Sequence, residues 1–509
     1  MEHIVSRLGA TVRRNEGKIA IVSQGRSLSY GDLRRAVAAV ADGLASCGVS
    51  PGERVTLYAP NCWEWVAAYY GILWAGCVVN PVNALLTAEE VRYIVRDCRA
   101  RAIIGTREKL EPLVPLLAEE EVRALVCFGE DVPAGMVSFA EWLRRPAGRS
   151  SPAQWDLEAT CTIAYTSGTT GHPKGAMHSE RNVLMNALLT GLMQGRGGED
   201  IVVTALPLPH VYGCVVMNST LLSGGTLVLH SRFEEAAVLE SIARYRANRF
   251  DGVPTMYYYL LNSPDLGRAD LSSLRMCTVG GQTMPASSMA EVEARFGCPL
   301  VELWGMTELA GLGTTFAHTG PVKHGSIGVA LPYCRAKIVD AQDCTRELPA
   351  GEPGELMITG PVVMQGYYNN ETATRETVEP DGWLHTGDIA RMDEEGFIYV
   401  VDRKKDMILT AGYNVYPAEI ERVIAAHPDV AMVAVGAVPD AAKGELAKAY
   451  IVPRAGVQVT AESILAHCRE HLAAYKVPRA VQFVPDLPKT STGKILRRKL
   501  RELDEEAAP

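Results

Sequence analysis

The chain has 509 residues, of which 47% are hydrophobic and 21% charged, with a formal net charge of −9. That length exceeds one ordinary core and implies at least two domains of a soluble globular protein. A negative chain lacks the positive field that nucleic-acid binders use, and no nucleic-acid partner is expected.

The twelve cysteines are scattered without a CxxC pair. This argues against a zinc ribbon or a disulfide framework and points to a reducing, cytoplasmic setting. Met1-Glu-His-Ile begins no basic-then-apolar pattern, so no signal peptide is expected.

In chain order, the periodicity predicts a helix over Leu33 to Leu44, a strand at Arg54 to Tyr58 and a buried helix near Trp63 to Leu73. Trp65 to Thr87 carries no charge, but Gly71, Gly76, Asn80, Pro81 and Asn83 interrupt it, so no integral membrane segment is expected. Thr87 and Glu90 have capping-box spacing before a helix at Val91 to Asp97. Strands follow at Ala102 to Ile104, Ile201 to Val203, Thr226 to Leu229 and Met276 to Val279, a βα alternation that implies parallel sheets covered by helices. From about Gly320 the texture turns to Gly, Pro and alternating apolar residues, read as an antiparallel, barrel-like part. After Asp402 a compact α+β unit is expected, with helices near Ala418 to Ala426 and Ala461 to His471. The acidic tail from Leu503 to Pro509 reads as frayed.

The richest run is Tyr165-Thr-Ser-Gly-Thr-Thr-Gly-His-Pro-Lys174-Gly175. Its glycines let the backbone approach an anion, its hydroxyls and amides donate to phosphate oxygens, and Lys174 adds positive charge. A plain surface loop is the commoner meaning of such composition. The preceding strand and the Pro-Lys-Gly ending favour phosphate binding. It is neither a Walker loop nor a GxGxxG fingerprint. The GxSxG match at Gly48 to Gly52 follows a helix and precedes a strand, the reverse of a nucleophile elbow, so it reads as a loop.

Three further runs are each weak alone. In Leu303-Trp-Gly-Met-Thr-Glu308, Trp304 can stack on a purine, Thr307 can donate to phosphate and Glu308 can hold Mg²⁺. In Trp383-Leu-His-Thr-Gly-Asp388, the aspartate can accept from ribose hydroxyls. In Pro488-Lys-Thr-Ser-Thr-Gly-Lys494, the lysine follows a turn-like run. A core tryptophan, a turn acceptor and a solvated tip are the bland readings.

Together and in this order, these runs and Asp402 to Glu421 resemble the adenylate-forming superfamily of acyl-CoA synthetases, peptide-synthetase adenylation domains and luciferases. The likeness spans nearly the whole chain and is nearest to bacterial fatty-acid or aryl-acid CoA ligases. It implies an α/β fold. A large N-terminal domain over residues 1–402 holds βα subdomains and a barrel-like part at about 320–402. A small mobile α+β domain follows over residues 403–509, with a hinge near Lys405. It also implies ATP, Mg²⁺ and CoA. A carboxylate attacks the α-phosphate of ATP to give an acyl-adenylate and pyrophosphate, and the CoA thiol then displaces AMP.

By the same resemblance, Lys494 would bridge the carboxylate and α-phosphate oxygens. Lys174, with Thr166, Ser167, Gly168, Thr169, Thr170 and Gly171, would steer the pyrophosphate. Thr307 would hold the α-phosphate and Glu308 the metal. Asp388 and Arg403 would grip the ribose, Gly281, Gln282 and Thr283 with Trp304 would frame the adenine, and Gly305 and Met306 would also belong to the nucleotide site. His210 would gate the acyl site. Rotation about Lys405 would bring in Gly412 and Tyr413 for the pantetheine arm, and Lys443 and Lys476 would meet CoA phosphates.

Val211, Gly213, Met256, Tyr257, Gly280 and Gly305 would line an acyl pocket. No acid follows His210, which disfavours an amino-acid substrate. Tyrosines stand where dicarboxylate-specific relatives place an arginine, so a mainly apolar acid is expected. Arg497, Arg498, Lys499 and Arg501 read as a solvated basic face. His467 and His471 also read as a helix face, with no third metal ligand nearby in sequence. Two other readings remain: loading of an acyl carrier protein instead of CoA, and a descendant that only binds nucleotide. Lys174, Glu308, Asp388 and Lys494 argue against the second.

Overall fold

The computed structural model describes residues 3–119, 122–145, 151–166, 173–410, 413–440, 444–454, 456–489, 495–500 and 502–506. Among the described residues, two large sheets of nine and eight strands carry the first two-thirds of the chain. Their central strands pair in parallel: Arg249–Gly252 lies between Ile201–Thr204 and Met276–Gly280, and Arg54–Tyr58 lies between Val78–Pro81 and Ala100–Thr106. Parallel strands need crossover helices, and those helices bury both sheet faces.

The uncharged run resolves into the helix Trp63–Trp74, whose residues are buried except Glu64. Its 12 residues fall short of the roughly 20 a membrane span needs. No helix among the described residues is long and apolar enough to cross a membrane. The Thr87–Glu90 capping box is present before the helix Ala88–Cys98. Ser29 with Asp32 and Ser179 with Asn182 form two more. Each satisfies amides that a helix start leaves unpaired.

The third sheet is antiparallel and four-stranded, in the order Arg335–Val339, Gly354–Thr359, Leu384–Met392, Ile398–Arg403. The fourth is built from the last fifth of the chain. Val430–Asp440 pairs antiparallel with Gly444–Pro453, and Ala480–Phe483 adds in parallel. The helices Pro417–Ala425 and Ala461–His471 give this sheet its own core around Ile408, Ile420, Val435, Ile451 and Ile464.

Two buried ionic knots stand out. In the first large sheet, Arg196 meets Asp251 at 2.7 Å with both side chains 1% exposed. The Thr278 hydroxyl also donates to Asp251 and exchanges a 2.7 Å hydrogen bond with the Tyr212 hydroxyl. In the second knot, Arg497 is not the solvated residue expected from the basic tail. Its guanidinium lies 2.6 Å from Glu421, 3.1 Å from Asp406 and 3.3 Å from the buried Asp402. Asp402 also accepts from the amides of Arg403 and Ala418, both at 2.7 Å. Burial pushes the Asp402 carboxyl up to about 6, against the pull of Arg497.

This knot ties the end of the third sheet to the C-terminal unit. Removing its cation leaves three acids facing one another. We expect Arg497→Ala to loosen the joint by about 3 kcal/mol. Tryptic cleavage at Arg403, Lys404 and Lys405 should then accelerate at least about tenfold, provided cleavage follows the open population. Unchanged cleavage would show that the knot does not hold the joint.

Candidate active site

The two ends of the Gly/Ser/Thr-rich run lie on paired strands. Thr160–Thr166 pairs antiparallel with Lys174–Ser179, and Thr166 faces Lys174 across the neck. The expected strand before the loop is there, and the return strand was not foreseen. Tyr165 anchors the hairpin by donating its hydroxyl to Asp97. Ser167, Gly168, Thr169, Thr170 and Gly171 lie outside the described residues.

The return strand delivers two further groups. Lys174 places its ammonium 5.0 Å from the centre of the Tyr367 ring, an attractive cation–π arrangement. The Tyr367 hydroxyl donates to Glu308 Oε1 at 2.7 Å. Burial and the Glu308 charge push that phenol up, so it remains a donor. Lysine, tyrosine and glutamate thus form a line from the loop to the turn Thr307–Leu309. His178, four residues after Lys174, has Nε2 2.7 Å from the Thr307 carbonyl oxygen. Burial lowers it to about 4, so the ring is neutral at pH 7. A carbonyl can only accept, so the proton sits on Nε2. His178 and Tyr367 were missed by sequence reasoning, because their partners are distant in the chain.

Asp388 and Arg403 are opposed on paired strands, and their side chains meet at 2.6 Å. Trp304, at the end of the strand Leu300–Met306, donates its indole N–H to the other Asp388 oxygen at 2.8 Å. The motifs holding Trp304, Asp388 and Arg403 therefore converge. Gly305 next to Trp304 is required by packing, since a Cβ there would lie 2.1 Å from the Gly311 carbonyl oxygen. Met306 and Thr307 continue this strand into the turn with Glu308. Gly281, Gln282 and Thr283 form the bend after the strand Met276–Gly280.

Beside that bend lies a narrow recess of about 20 Å³, walled by Leu206, Pro207, His210, Tyr212, Gly213, Val253, Met256 and Gly281. His210 caps the helix Val211–Leu222, and its Nδ1 accepts from the Tyr212 amide at 3.2 Å. Gly213 lines the recess but is also fixed by packing, because a Cβ would come 2.3 Å from the Pro207 carbonyl oxygen.

Of the expected acyl wall, Gly213 and Met256 line the recess, while Val211, Gly280 and Gly305 do not. Tyr257 is a correction. It is fully buried, and its hydroxyl donates to the Thr278 carbonyl at 2.7 Å, so it is a core residue. Tyr259 is 42% exposed, leaving Met256 as the wall residue of that helix.

Lys476 is ion-paired with Glu419 at 2.7 Å. Lys405 lies in the turn after Arg403. Tyr413 opens the strand Tyr413–Val415, while Gly412, Lys443 and Lys494 lie outside the described residues. Of the flanking residues, Lys489 bridges to Ile495 and the Leu496 amide donates to the Pro488 carbonyl at 2.8 Å.

His467 and His471 do gain a third potential ligand, Glu470. However, one nitrogen of each ring is engaged by a main-chain carbonyl, at 3.0 Å in both cases.

Glu302, two residues before Trp304, is 2% exposed. Its Oε2 has no hydrogen-bond partner among the described residues. Burial pushes its carboxyl up to about 8, opposed weakly by the Met284 amide and by Arg422 of the C-terminal unit. The folded protein therefore holds this proton where the unfolded chain has lost it. The associated stability is present below about 4.5, the ordinary glutamate value, and is lost as pH rises to about 8. The effect is on the order of 5 kcal/mol. In thermal melts, Glu302→Gln should exceed the parent at pH 8, with the gap closing toward pH 5. Parallel melting profiles of the two proteins would refute the assignment.

Residues 8–368 match the AMP-binding enzyme family model, and residues 419–494 match the AMP-binding enzyme C-terminal domain. A feruloyl-CoA synthase from Amycolatopsis is 38% identical over 487 residues, covering 95% of each chain. A long-chain-fatty-acid–CoA ligase from Bacillus subtilis is 34% identical over 531 residues, covering 98% of this chain and 94% of the relative. The crystal structure of ATP-bound MatB from Rhodopseudomonas palustris superposes with a TM-score of 0.92 at 30% identity, covering 99% of both chains. The chain belongs to the AMP-binding enzyme family, within the adenylate-forming superfamily.

Proposed function

We propose that this protein is an ATP-dependent, AMP-forming ligase that activates a mainly apolar carboxylic acid as an acyl-adenylate and transfers the acyl group to CoA. The convergence of the Lys174–Tyr367–Glu308 line with the Trp304–Asp388–Arg403 cluster carries this reading. One end offers positive charge and a carboxylate for phosphates. The other offers a buried carboxylate and an aromatic ring for a nucleoside. The relatives' names, one aromatic-acid and one fatty-acid CoA ligase, support the reaction class.

A carboxylate is a poor acyl donor because its leaving group is poor, and adenylation supplies a good one. The first transition state gathers negative charge around phosphorus, so cationic groups placed beforehand stabilise it. Lys174 steers the departing pyrophosphate, and Thr307 holds the α-phosphate. Lys494, from the C-terminal unit, bridges the two reacting groups. Asp388 orients the ribose while Arg403 and Trp304 hold its carboxylate in place.

Glu308 fits a magnesium ligand: its oxygens are hard donors, and Tyr367 orients one of them. Bound Mg²⁺ would neutralise phosphate charge there. Residues 403–509 form the mobile unit and turn about Lys405 between half-reactions. Gly412 and Tyr413 then flank the CoA arm.

No charged side chain lines the recess, which suits an acid with a single carboxylate. An aromatic or aliphatic chain needs more room than about 20 Å³. Met256 is the flexible wall residue that can yield it.

The test is AMP release with ATP, Mg²⁺ and a panel of acids, with either CoA or a carrier protein as acceptor. CoA-dependent AMP release with an apolar monocarboxylate is expected. Release that requires the carrier protein and ignores CoA would replace this reading, and no turnover with any acid would end it. Lys494→Ala should lower adenylation by about 10²–10³-fold. It should leave thioester formation from preformed acyl-adenylate within about threefold. Equal loss of both half-reactions would remove Lys494 from its role.

A further inference from the structure

We propose that Cys344, Glu355 and His385 form a binding site for a thiophilic divalent cation such as Zn²⁺, placed behind the hinge. The three come from separate elements of the third sheet: the loop before Gly354–Thr359, that strand itself, and the neighbouring Leu384–Met392. One potential ligand atom of each lies within 4.8 Å of the other two. The Cys344 Sγ is 3.8 Å from Glu355 Oε2, and the His385 Nδ1 is 3.5 Å from Glu355 Oε1. Glu355 is buried at 2% exposure, while Cys344 and His385 are half-buried, so an ion can enter from solvent.

The orientation of His385 is the informative feature. Its Nε2 lies 3.2 Å from Glu379 Oε1. Glu379 and Glu355 thus hold the ring from its two sides, with Nδ1 on the side of Glu355 and Cys344. A carboxylate holding the far nitrogen of a histidine is the usual outer support of a zinc ligand. Sulfur, imidazole and carboxylate together suit zinc better than magnesium or calcium. Binding would release the Cys344 thiol proton and any proton that Nδ1 carries against Glu355 to solvent, and join Sγ, Nδ1 and one carboxylate oxygen to the ion, with water completing the shell.

The site also bears on the hinge. Glu355 accepts from the Lys404 ammonium at 2.8 Å and from the Gly387 amide at 3.3 Å. The Lys404 amide in turn donates to the Gly387 carbonyl at 2.9 Å. A cation on Glu355 competes with Lys404, the residue before Lys405. Occupation should therefore slow turnover. That consequence rests on the proposed function, whereas the binding itself does not.

The experiment is a Co²⁺ titration of the full-length protein, read by absorption and followed by Zn²⁺ competition. We expect a thiolate-to-cobalt charge-transfer band that Zn²⁺ abolishes. Cys344→Ser should lack the band, and His385→Asn should lack it or need at least tenfold more metal. Glu379→Gln should weaken binding by about tenfold while retaining the band. Circular dichroism and melting on each variant separate loss of ligand from loss of fold. A band that persists in Cys344→Ser, or no band in the parent protein, would overturn the proposal whatever the acyl-ligase assays give.

Discussion

The alternation of side chains along one strand organises much of this molecule. Past a register shift in the strand Ile398–Arg403, its last two residues, Asp402 and Arg403, point to opposite faces. Arg403 therefore reaches Asp388 and the Trp304 cluster, while Asp402 reaches Arg497 and the amide at the start of the next helix. One residue later, Lys404 binds Glu355. Three consecutive residues thus fasten the Trp304–Asp388 cluster, the C-terminal unit and the third sheet. A register slip of one residue would exchange the two faces and break all three connections.

Charge is buried mainly where elements meet. Arg196 and Asp251 are paired deep in the first large sheet, and their hydrogen bonds continue to Tyr212 on the recess wall. Asp402 and Glu302 are different, because burial raises both carboxyls and their cationic neighbours, Arg497 and Arg422, come from the C-terminal unit. Desolvating a carboxylate is costly, and a neighbouring cation offsets part of the cost only while it is in place. Any rotation of that unit therefore changes the electrostatic environment of both acids. This couples the proposed domain movement to the strand carrying Trp304.

Local signals in the sequence were reliable where the physics is local. The Thr87–Glu90 box and the βα alternation involve neighbours within a few residues, and the structure contains them. The hairpin neck at Thr166 and Lys174 is equally local, although the return strand went unread. Errors arose where burial decides the outcome. Tyr257 and a pocket-facing tyrosine look alike in sequence, but its hydroxyl is fixed to the Thr278 carbonyl. Arg497 looked like one of several tail cations until three acids from three segments were found around it. His178 gave no motif at all, since its partner is a main-chain carbonyl 129 residues away.

By itself, the sequence determined the βα architecture and the family, because these depend on residue type, order and short spacing. It also named Trp304, Glu308, Asp388 and Arg403 before any contact was visible. Only the tertiary structure decided which of them touch, which cations are spoken for and which aromatic side chains belong to the core. Those outcomes depend on long-range packing and desolvation, which no window of neighbouring residues contains.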